Sequence, residues 1–172
     1  MTSLDRLWAG WRSEYIESVA EAGDDGAGAC VFCAILASGR PDSETHVVWR
    51  HPDGLTAALL NAYPYSTGHL MIMPVRHVAA IEDLDGSEGE GMWRGMIEAV
   101  RAVRGAYHPD GINVGANLGR SAGAGVPGHF HLHVVPRWHG DTNFMTSVAD
   151  ARVLPEALSV TAEKIVAAWP AG

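Results

Sequence analysis

The sequence has few basic residues relative to its acidic ones. Its 12 Lys and Arg residues stand against 20 Asp and Glu, which gives a formal net charge of −8 at pH 7. Proteins that track nucleic-acid phosphates need clustered Lys and Arg, so this balance argues against a nucleic-acid partner. It does not exclude a small anionic ligand, because backbone amides and a few histidines or arginines can hold a phosphate group locally.

Long apolar runs and cysteines are also scarce. No run approaches the roughly 20 apolar residues that a membrane span requires, and residues 1–8 lack the basic-then-apolar pattern of a signal peptide. We therefore expect a cytoplasmic protein with no membrane partner. Both of its 2 cysteines lie in the segment Cys30-Val31-Phe32-Cys33. In a cytosolic protein, such a pair indicates metal or redox chemistry before a structural disulfide.

The hydrophobic pattern predicts one domain of mixed secondary structure. A chain of 172 residues is long enough to bury a sizeable core. Apolar residues at helical spacing predict helices over residues 4–20, 87–107 and 155–169, and a short helical turn over 34–37. An acidic, glycine-containing linker follows the first helix over residues 21–28. Strand patterns predict a hairpin of residues 46–50 and 55–60, and further strands over 69–73, 112–117 and 129–137. This mixture indicates an α+β domain built on an antiparallel sheet.

The most informative segment is 129–135, which reads His-Phe-His-Leu-His-Val-Val. Successive side chains on a strand point to opposite faces, so this pattern predicts that its 3 histidines share one face. Imidazole has an unperturbed pKa of about 6.5, so each ring can be a donor, acceptor, nucleophile, acid or metal ligand near neutral pH. Core packing is a poor explanation for such a run. The glycine-rich loop that precedes it, residues 119–128, can bring several backbone N–H groups close to an anion.

Together, the loop and the histidines predict chemistry on a phosphate group. A neutral imidazole beside phosphate oxygens permits nucleophilic attack on phosphorus and a covalent phosphohistidine-type intermediate. His131 is the preferred nucleophile, because His129 and His133 on the same face can orient and shield it. Two other interpretations stay open. One is a metal-centred hydrolase that uses the histidines as ligands, and the other is a nucleotide-binding scaffold protein.

Residues 128–136, Gly-His-Phe-His-Leu-His-Val-Val-Pro, resemble the signature of the histidine triad (HIT) superfamily of nucleotide hydrolases and transferases. Other segments are similar to its bacterial branch that acts on diadenosine tetraphosphate, namely residues 7–16, 30–33, 60–70, 113–119 and 135–145. The resemblance implies a five-stranded antiparallel sheet with helices, extended across a homodimer. It also implies an N-terminal helix and linker over 1–28, a HIT domain over 29–145 and a C-terminal helical segment over 146–172 that packs on the same domain.

The resemblance further implies a reaction. A dinucleoside polyphosphate such as diadenosine tetraphosphate would be cleaved at its α-phosphate through a nucleotidyl-His131 intermediate. His133 would contact the α-phosphate, and His69 would support the triad from a neighbouring strand. The implied nucleotide-binding residues, with Asn61 at the ribose, are Asn61, Asn117, Gly119, Ser121, Gly125 and His133. Many members carry Gln at the position of Gly125, so the choice between water and inorganic phosphate as acceptor stays open.

The cysteine pair needs two more ligands to complete a closed tetrahedral zinc site. The resemblance supplies them, and the implied structural zinc ligands are Cys30, Cys33, His77 and His129. A magnesium ion that accompanies the polyphosphate is the second expected cofactor. A reduced, metal-free pair and a redox pair are the alternatives. The remaining histidines considered, His46, His51, His108 and His139, are expected to be solvated residues of loops and strand ends.

Overall fold

The computed structural model describes residues 30–141 and 156–170, so the predicted helix over 4–20 and the linker over 21–28 lie outside the described residues. We number the helices and strands in chain order. The helices are α1 (Val31–Leu36), α2 (Asp42–Thr45), α3 (Gly86–Tyr107) and α4 (Leu158–Ala168). The strands are β1 (Val47–Arg50), β2 (Thr56–Leu60), β3 (Leu70–Pro74), β4 (Gly111–Gly115) and β5 (Leu132–Arg137). Short 3-10 turns occupy Ile81–Asp83 and Arg120–Ala122.

The five strands form one antiparallel sheet in the order β1-β2-β3-β5-β4, which confirms the predicted fold class. Its register aligns four side chains in a row across β1, β2, β3 and β5, namely Val47, Leu59, Met71 and His133. Because side chains alternate along each strand, this row lies on one face of the sheet and its sequence neighbours lie on the other.

Each face of the sheet is covered by different helices. Helices α3 and α4 cover one face, where residues such as Leu60, Leu70 and Val134 pack with Val103 and Ile165 in the main core. The shorter α1 covers the other face. Phe32 of α1 and Cys30, which directly precedes the helix, form a second buried cluster with the sheet residues Val47, Leu59, Met71 and Met73 and with Val126. The candidate functional residues belong to this second layer.

Helix α3 begins and ends as the sequence predicts. Asp85 accepts a hydrogen bond from the backbone N–H of Glu88 at 2.8 Å, and the Glu88 carboxylate accepts one from the N–H of Asp85 at 3.0 Å. This capping box satisfies two N–H groups that the first turn leaves without helical partners. The helix ends at His108, whose backbone is left-handed with φ of 47°. None of the helices in the described part of the chain is long and apolar enough to span a membrane.

The histidine segment departs from its predicted conformation. Regular strand pairing begins at Leu132, so His129 and His131 precede β5 instead of lying within it. The backbone N–H of Phe130 donates to the carbonyl of Val78 at 2.6 Å, which lies in the loop after β3. A strand over 129–137 is therefore wrong for its first three residues. The short helix is also earlier than expected, since it begins at Val31 and not at residue 34.

Candidate active site

A pocket of about 200 Å³ lies between α1 and the sheet. Its apolar wall comes from α1, from the aligned sheet row and from the loop before the histidines: Val31, Phe32, Ile35, Leu59, Met71 and Val126. Its polar lining includes His46, Asn61, Tyr65, Asn117, His131 and His133. An apolar cleft with a few convergent polar groups is the usual form of a small-molecule site.

His131 has its proton fixed by the backbone. Its Nδ1 lies 2.7 Å from the carbonyl oxygen of His129. A carbonyl can only accept a hydrogen bond, so Nδ1 carries the proton and Nε2 carries a lone pair. The side chain is buried, and burial lowers the pKa of His131 below its ordinary value because it disfavours the imidazolium form. The ring is thus a neutral imidazole whose Nε2 can act as a nucleophile or base.

A chain of hydrogen bonds connects His69, which directly precedes β3, to His133 in β5. The backbone N–H of Tyr65 donates to Nδ1 of His69 at 3.1 Å, which places the His69 proton on Nε2. That Nε2 lies 2.9 Å from Nδ1 of His133 and donates to it. The proton of a neutral His133 is then on its own Nε2. Tyr65 also stacks on His69 with ring centroids 4.8 Å apart. His131 therefore offers a lone pair and His133 a donor, with ring centroids 4.9 Å apart.

The structure brings together some of the implied nucleotide-binding residues. Asn61, Asn117 and Gly125 line the pocket with the two histidines. The side-chain oxygen of Asn61 accepts from the N–H of Tyr63 at 2.9 Å, and the Asn117 amide donates to the carbonyl of Gly123 at 3.2 Å. Both asparagines are therefore held in place. Gly119 and Ser121 lie in the exposed part of the same loop, outside the pocket lining.

The four implied metal ligands form one cluster. The ligand atoms of Cys30, Cys33, His77 and His129 all lie within 4.8 Å of one another. Nδ1 of His129 is 3.3 Å from the sulfur of Cys30 and 3.6 Å from that of Cys33, and Nδ1 of His77 is 3.4 Å from Cys33. Zinc bond lengths in tetrahedral geometry correspond to S···N separations of about 3.5 Å. The donor set and its spacing therefore fit a zinc ion.

The tautomer of His129 agrees with metal binding. Nε2 of His129 donates to the carbonyl of Pro74 at 2.8 Å, so its Nδ1 presents a lone pair to the thiols.

Phe32 connects the metal cluster to the pocket. It lies in α1 between the two cysteines, and its ring meets His129 edge-on at a centroid distance of 5.6 Å and His131 at 5.1 Å. Sequence reasoning assigned no role to Phe32, although its position inside the Cys-x-x-Cys unit was a usable signal. Tyr65 was missed as well, and no sequence pattern marked its backbone N–H as the group that orients His69.

The four histidines that were expected to be solvated fall into two groups. His108 is exposed at the end of α3, and His139 is exposed with its Nδ1 2.9 Å from Asp110. The His51 side chain is only 14% exposed, and its Nδ1 lies 2.6 Å from a carboxylate oxygen of Asp53. His46 is also half-buried, and it lines the pocket. The expectation of a solvated role is wrong for His46 and for His51.

Comparisons with known proteins agree with this geometry. The AP-4-A phosphorylase of Mycobacterium tuberculosis is 37% identical over 167 residues, which cover 96% of this chain and 85% of that protein. The asymmetrical bis(5'-nucleosyl)-tetraphosphatase of Schizosaccharomyces pombe is 31% identical over 87 residues, covering 51% of this chain and 47% of the relative. A solved Zn-bound histidine triad family protein from Mycobacterium smegmatis superposes with a TM-score of 0.65 and 27% identity, covering 83% and 94% of the two chains. The family model of the HIT domain matches residues 40–140, and the chain belongs to the HIT domain family.

Proposed function

We propose that this protein cleaves dinucleoside polyphosphates, of the diadenosine tetraphosphate type, at the α-phosphate through a covalent nucleotidyl-His131 intermediate. The observation that carries the proposal is the lone pair on Nε2 of His131, which the bond from Nδ1 to the His129 carbonyl enforces in the wall of the pocket. The similarity to an AP-4-A phosphorylase and to an asymmetrical bis(5'-nucleosyl)-tetraphosphatase supports this substrate class.

In the first step, Nε2 of His131 attacks the α-phosphorus. The N–P bond forms with the histidine lone pair while the bond from phosphorus to the bridging oxygen breaks, and a tetraphosphate substrate releases a nucleoside triphosphate. The imidazole becomes positively charged, and the carbonyl of His129 stabilises that charge through the Nδ1–H bond of 2.7 Å. The Nε2–H of His133, oriented by His69, donates to an oxygen of the α-phosphate and stabilises its charge.

In the second step, an acceptor oxygen attacks phosphorus and the N–P bond returns its electrons to Nε2. Water yields a nucleoside monophosphate and releases a proton, whereas inorganic phosphate yields a nucleoside diphosphate. One of the two relatives is named as a phosphorylase and the other as a tetraphosphatase. Gly125 lines the pocket and contributes no side chain that would select between these acceptors.

The reaction is tested by product identification. We expect incubation with diadenosine tetraphosphate to give ATP and AMP if water is the acceptor. We expect ATP and ADP, and only when phosphate is present, if phosphate is the acceptor. Two ADP molecules would contradict attack at the α-phosphorus. Single turnovers quenched in an alkaline denaturant, which preserves the acid-labile N–P bond, and followed by mass spectrometry should detect a nucleotidyl adduct on residue 131. A His131→Asn variant should lose the adduct and all turnover, whereas the matched His139→Asn variant changes a fully exposed imidazole and should keep both.

We also propose that Cys30, Cys33, His77 and His129 hold a structural zinc ion. The spacing of their ligand atoms and the Zn-bound family structure support this proposal. When bound, the ion would cross-link α1 to the start of the histidine segment. Four protein ligands fill its tetrahedral shell, so it has no open position for substrate. His131 and His133 lie outside this ligand set. We also propose a magnesium ion with the substrate, a homodimer and a cytoplasmic location.

A further inference from the structure

The pocket extends well beyond the catalytic histidines. The sheet row that begins at His133 continues through Met71 and Leu59 toward Val47, across three interstrand spacings or about 14 Å. The lining includes Thr45 and His46, which directly precede β1. A nucleotide whose phosphate lay at His131 could extend its base along this row over Met71 and Leu59, with the outer edge of the base toward His46.

His46 is held firmly at this end of the pocket. It ends α2 with a left-handed backbone, φ of 57° and ψ of 24°, a conformation in which glycine is the ordinary residue. Its carbonyl accepts a hydrogen bond from the N–H of Leu60 at 3.0 Å, which ties it to β2. This chain thus keeps an imidazole at a position where a glycine would satisfy the backbone with less strain.

The ring of His46 has an unused polar edge. Its Nδ1 is buried and has no hydrogen-bond partner among the residues that the structure describes. An unpaired buried N–H is rarer than an unpaired acceptor, so the arrangement favours the lone pair on Nδ1 and the proton on Nε2. Because Nδ1 is enclosed, Nε2–H is the edge of the ring that a ligand can reach. The neighbouring Thr45 hydroxyl is occupied by the carbonyls of Pro41 and Asp42, at 3.4 and 3.3 Å.

We propose that His46 is a specificity-determining residue that selects purine nucleotides by donating a hydrogen bond from Nε2 to a ring nitrogen of the base. The inference rests on the proposed function, since it assumes a nucleotide whose phosphate lies at His131. Purines carry N7 as an acceptor that pyrimidines lack. A pyrimidine is also one ring shorter and ends farther from β1. The apolar wall can pack against the ring faces of a purine or a pyrimidine alike, so the hydrogen bond from His46 to the edge of the base is what distinguishes the two.

Calorimetric titration of the full-length protein tests this role. AMP should bind the wild-type protein about tenfold more tightly than CMP, and replacing the contacted nitrogen, in 7-deaza-AMP or 1-deaza-AMP, should weaken binding about threefold to tenfold. A His46→Gly variant suits the left-handed backbone, so it should fold normally. It should bind AMP and the deaza analogues equally and lose most of the preference over CMP. The matched control His108→Gly removes an exposed imidazole at another left-handed helix end and should keep the wild-type ratios.

Each outcome has a defined meaning. A His46→Gly variant that retains the wild-type ratios overturns the inference, as does a wild-type protein that binds both deaza analogues as tightly as AMP. A wild-type protein that binds none of these nucleotides overturns the proposed function itself. If thermal unfolding shows that His46→Gly is not folded, His46→Asn provides the same test. Asparagine tolerates the left-handed conformation, and its shorter side chain cannot reach the base.

Discussion

Removing the metal should weaken nucleotide binding even though no metal ligand lines the pocket. Helix α1 has only 6 residues and no side-chain cap, and isolated helices shorter than about 12 residues are marginal in water. Yet α1 supplies Val31, Phe32 and Ile35 to the pocket wall. The perturbation that we choose is His77→Asn, because His77 is a proposed metal ligand that lies outside α1 and outside the pocket lining.

The size of the effect follows from the packing of α1. Ordering six backbone units costs about 6 kcal/mol at the lower limit, whereas burying the Phe32 side chain returns about 1.5–3 kcal/mol. The partial burial of Val31 and Ile35 offsets part of the difference. A residual deficit of about 1.4–3 kcal/mol would leave the docked helix populated at roughly 1–10%, and the apparent affinity for AMP should fall about tenfold to hundredfold.

The assay combines three measurements on full-length wild-type, His77→Asn and His108→Asn proteins. Elemental analysis should find one zinc per wild-type and per His108→Asn chain and little in His77→Asn. Calorimetry should show weaker AMP binding in His77→Asn alone. Hydrogen exchange should show lost protection in residues 31–36 of the same variant. The reasoning is refuted if His77→Asn loses its zinc but binds AMP with wild-type affinity, or if metal-replete wild-type protein contains no zinc.

Two further predictions concern stability. Arg76 holds the pKa of Glu88 below its usual range through hydrogen bonds of 2.8 and 2.6 Å to a carboxylate that is 2% exposed. Because the Arg76 side chain is itself half exposed, Glu88→Gln should lower the free energy of unfolding by only roughly 1–2 kcal/mol at pH 7. A carboxyl group with a lowered pKa in the folded state stabilises the fold at pH values above its unfolded-state pKa, and this stabilisation is lost as the pH falls through the folded-state pKa. Urea unfolding should therefore show the free energies of unfolding of the two proteins converging toward pH 3. A difference that is independent of pH would contradict the assignment. Thr56 has a buried hydroxyl without a hydrogen-bond partner among the described residues, so Thr56→Val should raise the free energy of unfolding by about 1 kcal/mol, and a lower melting temperature would show that the hydroxyl is satisfied after all.

Much of the fold could be predicted because its signals are local. The strand patterns placed four of the five strands within one or two residues, and Gly86 with the turn that begins at His108 bounded the long helix. The cluster of Cys30, Cys33, His77 and His129 followed from the cysteine spacing together with a family resemblance. Each of these depends on residues close together in the chain or on a motif of fixed spacing.

The unpredicted features depend on contacts between distant segments. His129 and His131 leave the regular strand because Phe130 bonds to Val78, more than fifty residues away along the chain. His46 enters the pocket because Leu60 binds its carbonyl and because the register of β1 shifts between Val47 and Trp49. No local pattern specifies either contact. The loop residues Gly119 and Ser121 were assigned by motif alone, and their position depends on a turn that the motif does not determine.

His129 belongs to two arrangements at once. Its ring lies beside the thiols and donates to the carbonyl of Pro74, while its own carbonyl accepts a hydrogen bond from Nδ1 of His131. The carbonyl of His129 therefore sets the direction in which the His131 ring points. For protein engineering, the transferable unit is larger than the five-residue histidine motif. Grafting residues 129–133 onto another sheet without α1 and the loop that carries Val78 would transplant three imidazoles and leave their protons unassigned.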